Sequence, residues 1–316
     1  MSAVDQSGGP SPLRGSGRVL VADNLTKVIG RRTIVDRVSF ALDAGEVFGF
    51  LGPNGAGKTT TIRMLVGLIK PTEGRVTICG FDVRRQFEHA MRNVGCIVEN
   101  PDLYRFMTGR ENLEHFARML GTPSSEIERV AELVALAHRL DQRAGTYSLG
   151  MRQRLGIAQA MLGSPRLLIL DEPANGLDPA GIREIRELLR ALARERQMAI
   201  FVSSHQLAEI ELMCDRVAII HKGQLLREGS VRELISSRRE MEFRVGDVAR
   251  ATEIVRSRGL AFRVDTDRLW ISMDESEAPA LVAVFAENNV PLFHAQRHVE
   301  TLEEMFLQAT GGETVD

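Results

Sequence analysis

The chain has 316 residues, 44% of them apolar, which suffices for one large domain and a smaller one whose cores need no disulfides. Its 40 basic and 42 acidic residues leave a formal charge of -2 and a pI near 6.4, so there is no electrostatic case for nucleic acid as a partner. Three scattered cysteines, Cys79, Cys96 and Cys214, form no CxxC pair and read as buried thiols in a reducing compartment, not as a disulfide or zinc framework.

Residues 1–17, "MSAVDQSGGPSPLRGSG", are rich in Ser, Gly and Pro and lack an apolar segment. They make a poor secretory signal and are expected to be a disordered tail. No eighteen apolar residues run together anywhere, so no membrane-spanning helix is expected and the protein reads as cytoplasmic. From Arg18, "VLVADNLTKVIG" and "TIVDRVSFALDAG" predict strands separated by polar turns. Strand "EVFGFL", a Gly-rich loop and helix "KTTTIRMLVGLI" follow, the helix closed by Pro71. Periodic apolar positions in "ENLEHFARML" and "IERVAELVALAHRL" make the block from about Phe106 to Leu162 helical. Strands return at "RLLILDEP" and "MAIFVSS" on either side of helix "PAGIREIRELLRALARER". Such alternation implies an α/β fold with a parallel sheet covered by helices.

Near Ser236 the charged run "SSRREMEFR" marks a change of domain. Beyond it the order is strand "MEFRV", helix "VARATEIVRSRG", strand "AFRVD", strand "RLWISM", helix "SEAPALVAVFAENN" and strand "PLFHAQ". This β-α-β-β-α-β series predicts a small ferredoxin-like α+β sandwich of about eighty residues. A last helix, "TLEEMFLQAT", ends at Gly311 and Gly312, and Trp270 within the module reads equally as core or as contact.

Residues Gly52–Thr59 fit G-x-x-x-x-G-K-[ST], between a strand and a helix. Gly55 and Gly57 let successive N–H groups turn inward, with Pro53, Asn54 and Ala56 completing the loop and Thr60 following it. The positive end of the next helix faces the same anion. Lys58 supplies a point charge for the β- and γ-phosphates, and Thr59 a hydroxyl for Mg²⁺. In "RLLILDEP" an apolar strand ends in Asp171 and Glu172. Asp171 is placed to hold Mg²⁺ and Glu172 to act as general base on a water.

One further segment decides what this chemistry drives. "YSLGMRQRLGIAQAMLGSP" resembles the LSGGQxQR motif of ABC transporter ATPases: Tyr147 to Met151 fill its first five positions, and Gln153 and Arg154 its last two. "NGLD", Asn175 to Asp178, resembles the family's D-loop, and His205 in "VSSHQL" its switch histidine. The resemblance spans Arg18 to Ser236. It implies an ABC-type nucleotide-binding domain over 18–236, with a helical subdomain at about 100–163 and an accessory domain over 237–316. It also implies ATP and Mg²⁺ as cofactors. Two such domains, a homodimer or a heterodimer with a paralogue, would associate head to tail. Ser148 and Gly150 of one, with Asp178 at the interface, would then meet the ATP held by the other. His205 would hydrogen-bond the γ-phosphate. The energy would drive separate integral permease subunits, with this chain peripheral on the cytoplasmic face of the membrane.

Three departures from the family pattern matter. Glu99, in "VGCIVENPDLY", stands where Gln is usual. Its charge should strengthen a metal contact but repel the γ-phosphate, and it is expected to be a metal ligand or water-positioning group. In this the chain resembles exporter ATPases of the bacitracin and lantibiotic type. Ile29, with Val28 as second choice, falls where an aromatic ring usually stacks on adenine. An aromatic stack is worth about 1–3 kcal/mol, so weak base selectivity with GTP tolerated is expected. Leu149 and Met151 replace a Gly and a Gln, while Ser148 and Gly150 remain.

Contact with a permease is expected from "NPDLYRFMTGREN", through Tyr104, Phe106 and Met107. The C-terminal extension resembles that of drug and antibiotic exporters, which favours export over import. An importer ATPase is the alternative, as is a soluble ABC ATPase. The latter fits poorly, because the chain has one phosphate loop and no long coiled coil. No NKxD motif supports a GTPase.

Overall fold

The computed structural model describes residues 17–99, 101–236, 240–298 and 301–310. The expected tail, apart from Gly17, and the helix end at Gly311 and Gly312 fall outside the described residues. Two compact units are present. One comprises the chain up to Phe48, Ala56–Ser203 and Lys222–Gln224; the other comprises Gly49–Gly55, Ser204–His221 and the chain from Leu225.

In the first unit, β1 (Arg18–Ile29) and β2 (Arg32–Asp43) form a hairpin with register Ile29↔Arg32, turned by Gly30 at φ +61°. With β4 (Glu73–Ile78) and β5 (Phe81–Asp82) they make an antiparallel sheet in the order β2-β1-β4-β5. The strand β3 (Val47–Leu51), whose residues from Gly49 on belong to the second unit as far as Gly55, leads through the loop into α1 (Lys58–Leu65). After α2 (Phe87–Met91) come β6 (Val94–Ile97) and the helical block of α3 (Gly109–Leu120), α4 (Ser125–Leu133) and α5 (Leu149–Ala160). Then β7 (Leu167–Asp171), α6 (Pro179–Arg196) and β8 (Ala199–Ser204) complete the unit. β6, β7 and β8 pair in parallel, with registers Val94↔Leu167 and Leu167↔Ala199. The Ile200 N–H donates to the Glu46 carbonyl, seating the start of β3 on the far side of β8. Every residue of β3, β7 and β8 is buried, which explains their continuous apolar runs. Phe40, Phe48 and Phe201 stack at 5.5–6.1 Å between ring centres and join the antiparallel sheet to the parallel one.

In the second unit, α7 (Leu207–Met213) lies against the end of β3: a Cβ on Gly49 would come within 2.7 Å of Ile210. Strands β9 (Arg216–His221) and β10 (Gln224–Ser230) and helix α8 (Val231–Ser236) precede the βαββαβ module. That module runs β11 (Glu240–Val245), α9 (Val248–Ser257), β12 (Phe262–Asp265), β13 (Arg268–Ser272), α10 (Ala278–Glu287) and β14 (Leu292–His298). Its strand order, β12-β13-β11-β14, is antiparallel throughout, as a ferredoxin-like sandwich requires. Phe243 and Phe285 meet edge to face at 5.9 Å in a core with Val255, Leu269, Ile271 and Leu281. The last helix, α11 (Leu302–Ala309), returns to α7: Phe306 packs on the His221 ring, and the Leu302 N–H donates to Glu211.

Two expectations need correction. The helix after the phosphate loop stops at Leu65, not Ile69, because Val66 caps it and Gly67 takes the left-handed conformation at φ +71°. The cysteines are not all buried. Cys214 is, but Cys79 is half-buried and Cys96 is exposed. Cys96 sits on the terminal strand β6, where the buried positions are its neighbours Gly95 and Ile97.

Truncating Phe201, central to the aromatic stack, is expected to cost about 3–5 kcal/mol in urea unfolding. The same change at exposed Phe106 is expected to stay within about 0.5 kcal/mol.

Candidate active site

The loop between β3 and α1 owes its shape to two glycines. Gly55 has φ +79° and Gly57 φ +108°, both costly for residues with a Cβ. Gly57 is the N-cap of α1 and offers no side chain to bond the first-turn N–H groups. The positive end of α1 is therefore left without a side-chain cap, the arrangement that suits an anion.

The first two residues of α1 meet the end of β7. The Thr59 hydroxyl donates to Asp171 Oδ2 at 3.2 Å, and the Ser203 hydroxyl donates to Asp171 Oδ1. Asp171 is only 3% exposed, so its carboxylate depends on these partners. Glu172 steps out of the strand at φ +50°, with its N–H donating to the Ser203 carbonyl and hydroxyl oxygens. That turn brings Glu172 Oε1 to 3.6 Å from Lys58 Nζ. Lys58 is 6% exposed; burial lowers its pKa, and the Glu172 and Asp171 carboxylates partly offset the effect. The result is a buried lysine, a hydroxyl and two adjacent carboxylates at the start of one helix and the end of one strand. Hard oxygens of this kind suit Mg²⁺. Among the described residues no group of three or more His, Cys, Asp or Glu could hold an ion unaided. A divalent cation on Thr59 and Asp171 would therefore complete its shell with substrate phosphate oxygens and water.

The other predicted residues lie on distinct elements. Ser148 is the N-cap of α5 and accepts from the Met151 N–H at 3.2 Å, while Gly150 lies in the first turn. Its hydroxyl proton is still available to donate. Asp178 caps α6, accepting from the Gly181 N–H at 3.1 Å ahead of Pro179. Ile29 is 56% exposed at the β1 hairpin end, beside exposed Val28. In the second unit His205 lies between β8 and α7; burial raises the Glu209 pKa and His205 lowers it. Glu99 follows β6 with φ +69°, and its carboxylate accepts from the Arg63 guanidinium at 2.7 Å. Sequence reasoning missed Ser203 and Arg63. Ser203 was legible as the residue opposite Asp171 once β7 and β8 are paired, and Arg63 as the helix position one turn beyond Thr59.

The model of the ABC transporter family matches residues 35–175, which hold the phosphate loop, Ser148, Asp171 and Glu172. The chain is 48% identical over 295 residues to the ABC transporter ATP-binding protein YhcH of Bacillus subtilis, covering 93% of this chain and 96% of that protein. The chain belongs to the ABC transporter ATP-binding family. It is also 41% identical over 302 residues to the bacitracin transport ATP-binding protein BcrA of Bacillus licheniformis, covering 94% and 99% of the two. A solved ATP-binding subunit of an ABC transporter superposes with a TM-score of 0.62 at 32% identity, over 69% of this chain and 92% of that one. This ABC ATPase thus binds ATP and has the fold of the family's ATP-hydrolysing cassette. Among its described residues no helix is long and apolar enough to cross a membrane.

Ser203→Ala would leave a buried Asp171 oxygen short of a donor, while the Glu172 N–H keeps the Ser203 carbonyl as acceptor. A loss of about 1–3 kcal/mol in urea unfolding is expected, with a fall in ATPase rate.

Proposed function

We propose that this ABC ATPase powers a separate membrane permease that exports antimicrobial peptides or drugs, and that it works as a head-to-tail dimer on the cytoplasmic face. The observation that carries this reading is the joined set of Lys58, Thr59, Asp171 and Glu172. The loop from Gly52 to Thr60 holds the triphosphate, Lys58 neutralises it, and Thr59 and Asp171 hold Mg²⁺. Glu172, turned out of its strand beside the lysine, takes a proton from the attacking water, and His205 steadies the γ-phosphate. Glu99 positions water or metal. The nucleotide-binding domain covers 18–236 and the accessory module 237–316.

Ser148 and Gly150 at the uncrowded start of α5 support the dimer reading, since a Cβ on Gly150 would meet only Leu177, at 3.8 Å. A second copy's γ-phosphate fits there as an anion at a helix start, with Asp178 close by on α6. Loss of that phosphate would remove the contact and let the pair open. Permease contact through Tyr104, Phe106 and Met107 is supported by exposure. Tyr104 and Phe106 are both exposed, Phe106 at 71%, and Tyr104 lines a groove of about 770 Å³ together with Phe116, Leu149 and Arg152. Export of a peptide antibiotic is supported by likeness to the bacitracin transport protein along almost the whole chain, the accessory module included.

Glu172→Gln is expected to bind ATP, to lose about 10²–10⁴-fold in turnover and to accumulate dimer in size-exclusion chromatography. Adding Ser148→Arg should return it to monomer. A Glu172→Gln protein hydrolysing at the wild-type rate, or one whose ATP-bound dimer survives Ser148→Arg, would remove the reading. At the base site, Ile29→Tyr is expected to tighten ATP binding by about 1–3 kcal/mol, read by nucleotide titration.

A further inference from the structure

Arg63 stands four residues after Thr59 on α1, on the same face one helical turn further on. The helix "KTTTIRML" contains no acid, so this cation has no partner on its own element. It reaches off the helix to Glu99, at 2.7 Å, and the pair ties α1 to the segment after β6. Both side chains are substantially exposed, 45% for Arg63 and 62% for Glu99, so the pair adds little to folding stability. Its consequence is electrostatic. Asp171 and Glu172 already put two negative charges beside the phosphate loop, and a triphosphate brings several more. An acid at position 99 adds another within the same region, and the interaction among them is repulsive.

We propose that Arg63 is a positioning residue for Glu99. The guanidinium cancels the acid's charge and holds its carboxylate one helical turn beyond Thr59. The site can thereby carry an acid near a nucleoside triphosphate without losing affinity for it. The left-handed backbone at Glu99, uncommon for a residue with a long side chain, goes with this fixed placement. Arg63 and Glu99 therefore form one functional unit, in which the cation is needed because the acid is there. The assignment rests on the reading of Lys58 to Glu172 as the nucleotide site.

The test is a double-mutant cycle on the full-length chain, read by binding of a fluorescent ATP analogue with and without Mg²⁺. Arg63→Gln is expected to weaken binding about fivefold at low ionic strength, an effect that shrinks as salt is added. Arg63→Lys should keep most of the affinity. With Glu99→Gln already present, Arg63→Gln should change binding by less than about twofold, because the charge it cancels is gone. ATPase assays of the same variants should place the Arg63→Gln defect in KM more than in kcat. Because the pair is exposed, all variants should melt together in circular dichroism. Equal weakening in both backgrounds, or none in either, would overturn the assignment. Lys58→Ala separates the two levels of inference. If it retains binding, the nucleotide-site reading and the Arg63 assignment both fall. If it abolishes binding while the cycle shows no coupling, only the Arg63 assignment falls.

Discussion

A single buried carboxylate sets the terms for the rest of the site. Asp171 has almost no access to water, and an acid so placed is tolerable only when its oxygens are satisfied by donors. Thr59 satisfies one oxygen and Ser203 the other. These donors come from α1 and β8, so the acid ties a helix start and a neighbouring strand to the end of β7. The parallel register Asp171↔Ser203 places the second donor. Slipping that ladder by one residue would exchange the faces of the strand and remove Ser203 from the acid. Burial of "LLILD" and chemistry at its last residue therefore have the same cause.

Glu172 shows how two adjacent acids acquire different placements. A strand would send its side chain to the face opposite that of Asp171. The left-handed turn at φ +50° ends the strand there, and the two bonds from its N–H to Ser203 hold a conformation that a glutamate rarely adopts. One acid thus stays fixed among hydroxyls while the next, half-buried, faces Lys58. Backbone strain in this position has a structural result: it turns the second carboxylate away from the hydroxyls that hold the first and towards Lys58.

Much of this was legible in the sequence, because its strongest signals are local. The glycines and Lys58 announce a loop whose geometry depends on few residues. The run into Asp171 is a buried strand by composition alone, and α6 begins and ends where "PAGIREIRELLRALARER" predicts, with Asp178 as its cap. The β-α-β-β-α-β order of the last module sufficed to predict its sheet. What escaped depends on contacts between distant segments. Ser203 and Arg63 carry no motif of their own, and become meaningful only when β7 meets β8 and when α1 meets the segment after β6. The exposure of Cys96 escaped for the same reason: which strand ends a sheet is a property of the assembled fold. The packing of α11 on α7, just beyond His205, joins residues about ninety positions apart, and neither periodicity implies it.

One departure from the family pattern, Leu149, is accommodated by its neighbours. Leu149 replaces a glycine at the start of α5, and the added side chain needs room. It finds it against the D-loop: a Cβ on Gly176 would lie 3.3 Å from Leu149 Cδ2, tighter than ordinary contact, and Gly176 has φ +75°. Leu177, next in the chain, approaches the other side of Gly150 without crowding it. A residue larger than glycine at 176 would press on Leu149 and strain the turn, and Leu149 would in turn push on the first turn of the helix that carries Ser148. The "SLGM" and "NGLD" segments are therefore matched to each other within one chain. The loss of a glycine in one is offset by a glycine in the other, and the helix start bearing Ser148 keeps its cap and its open face.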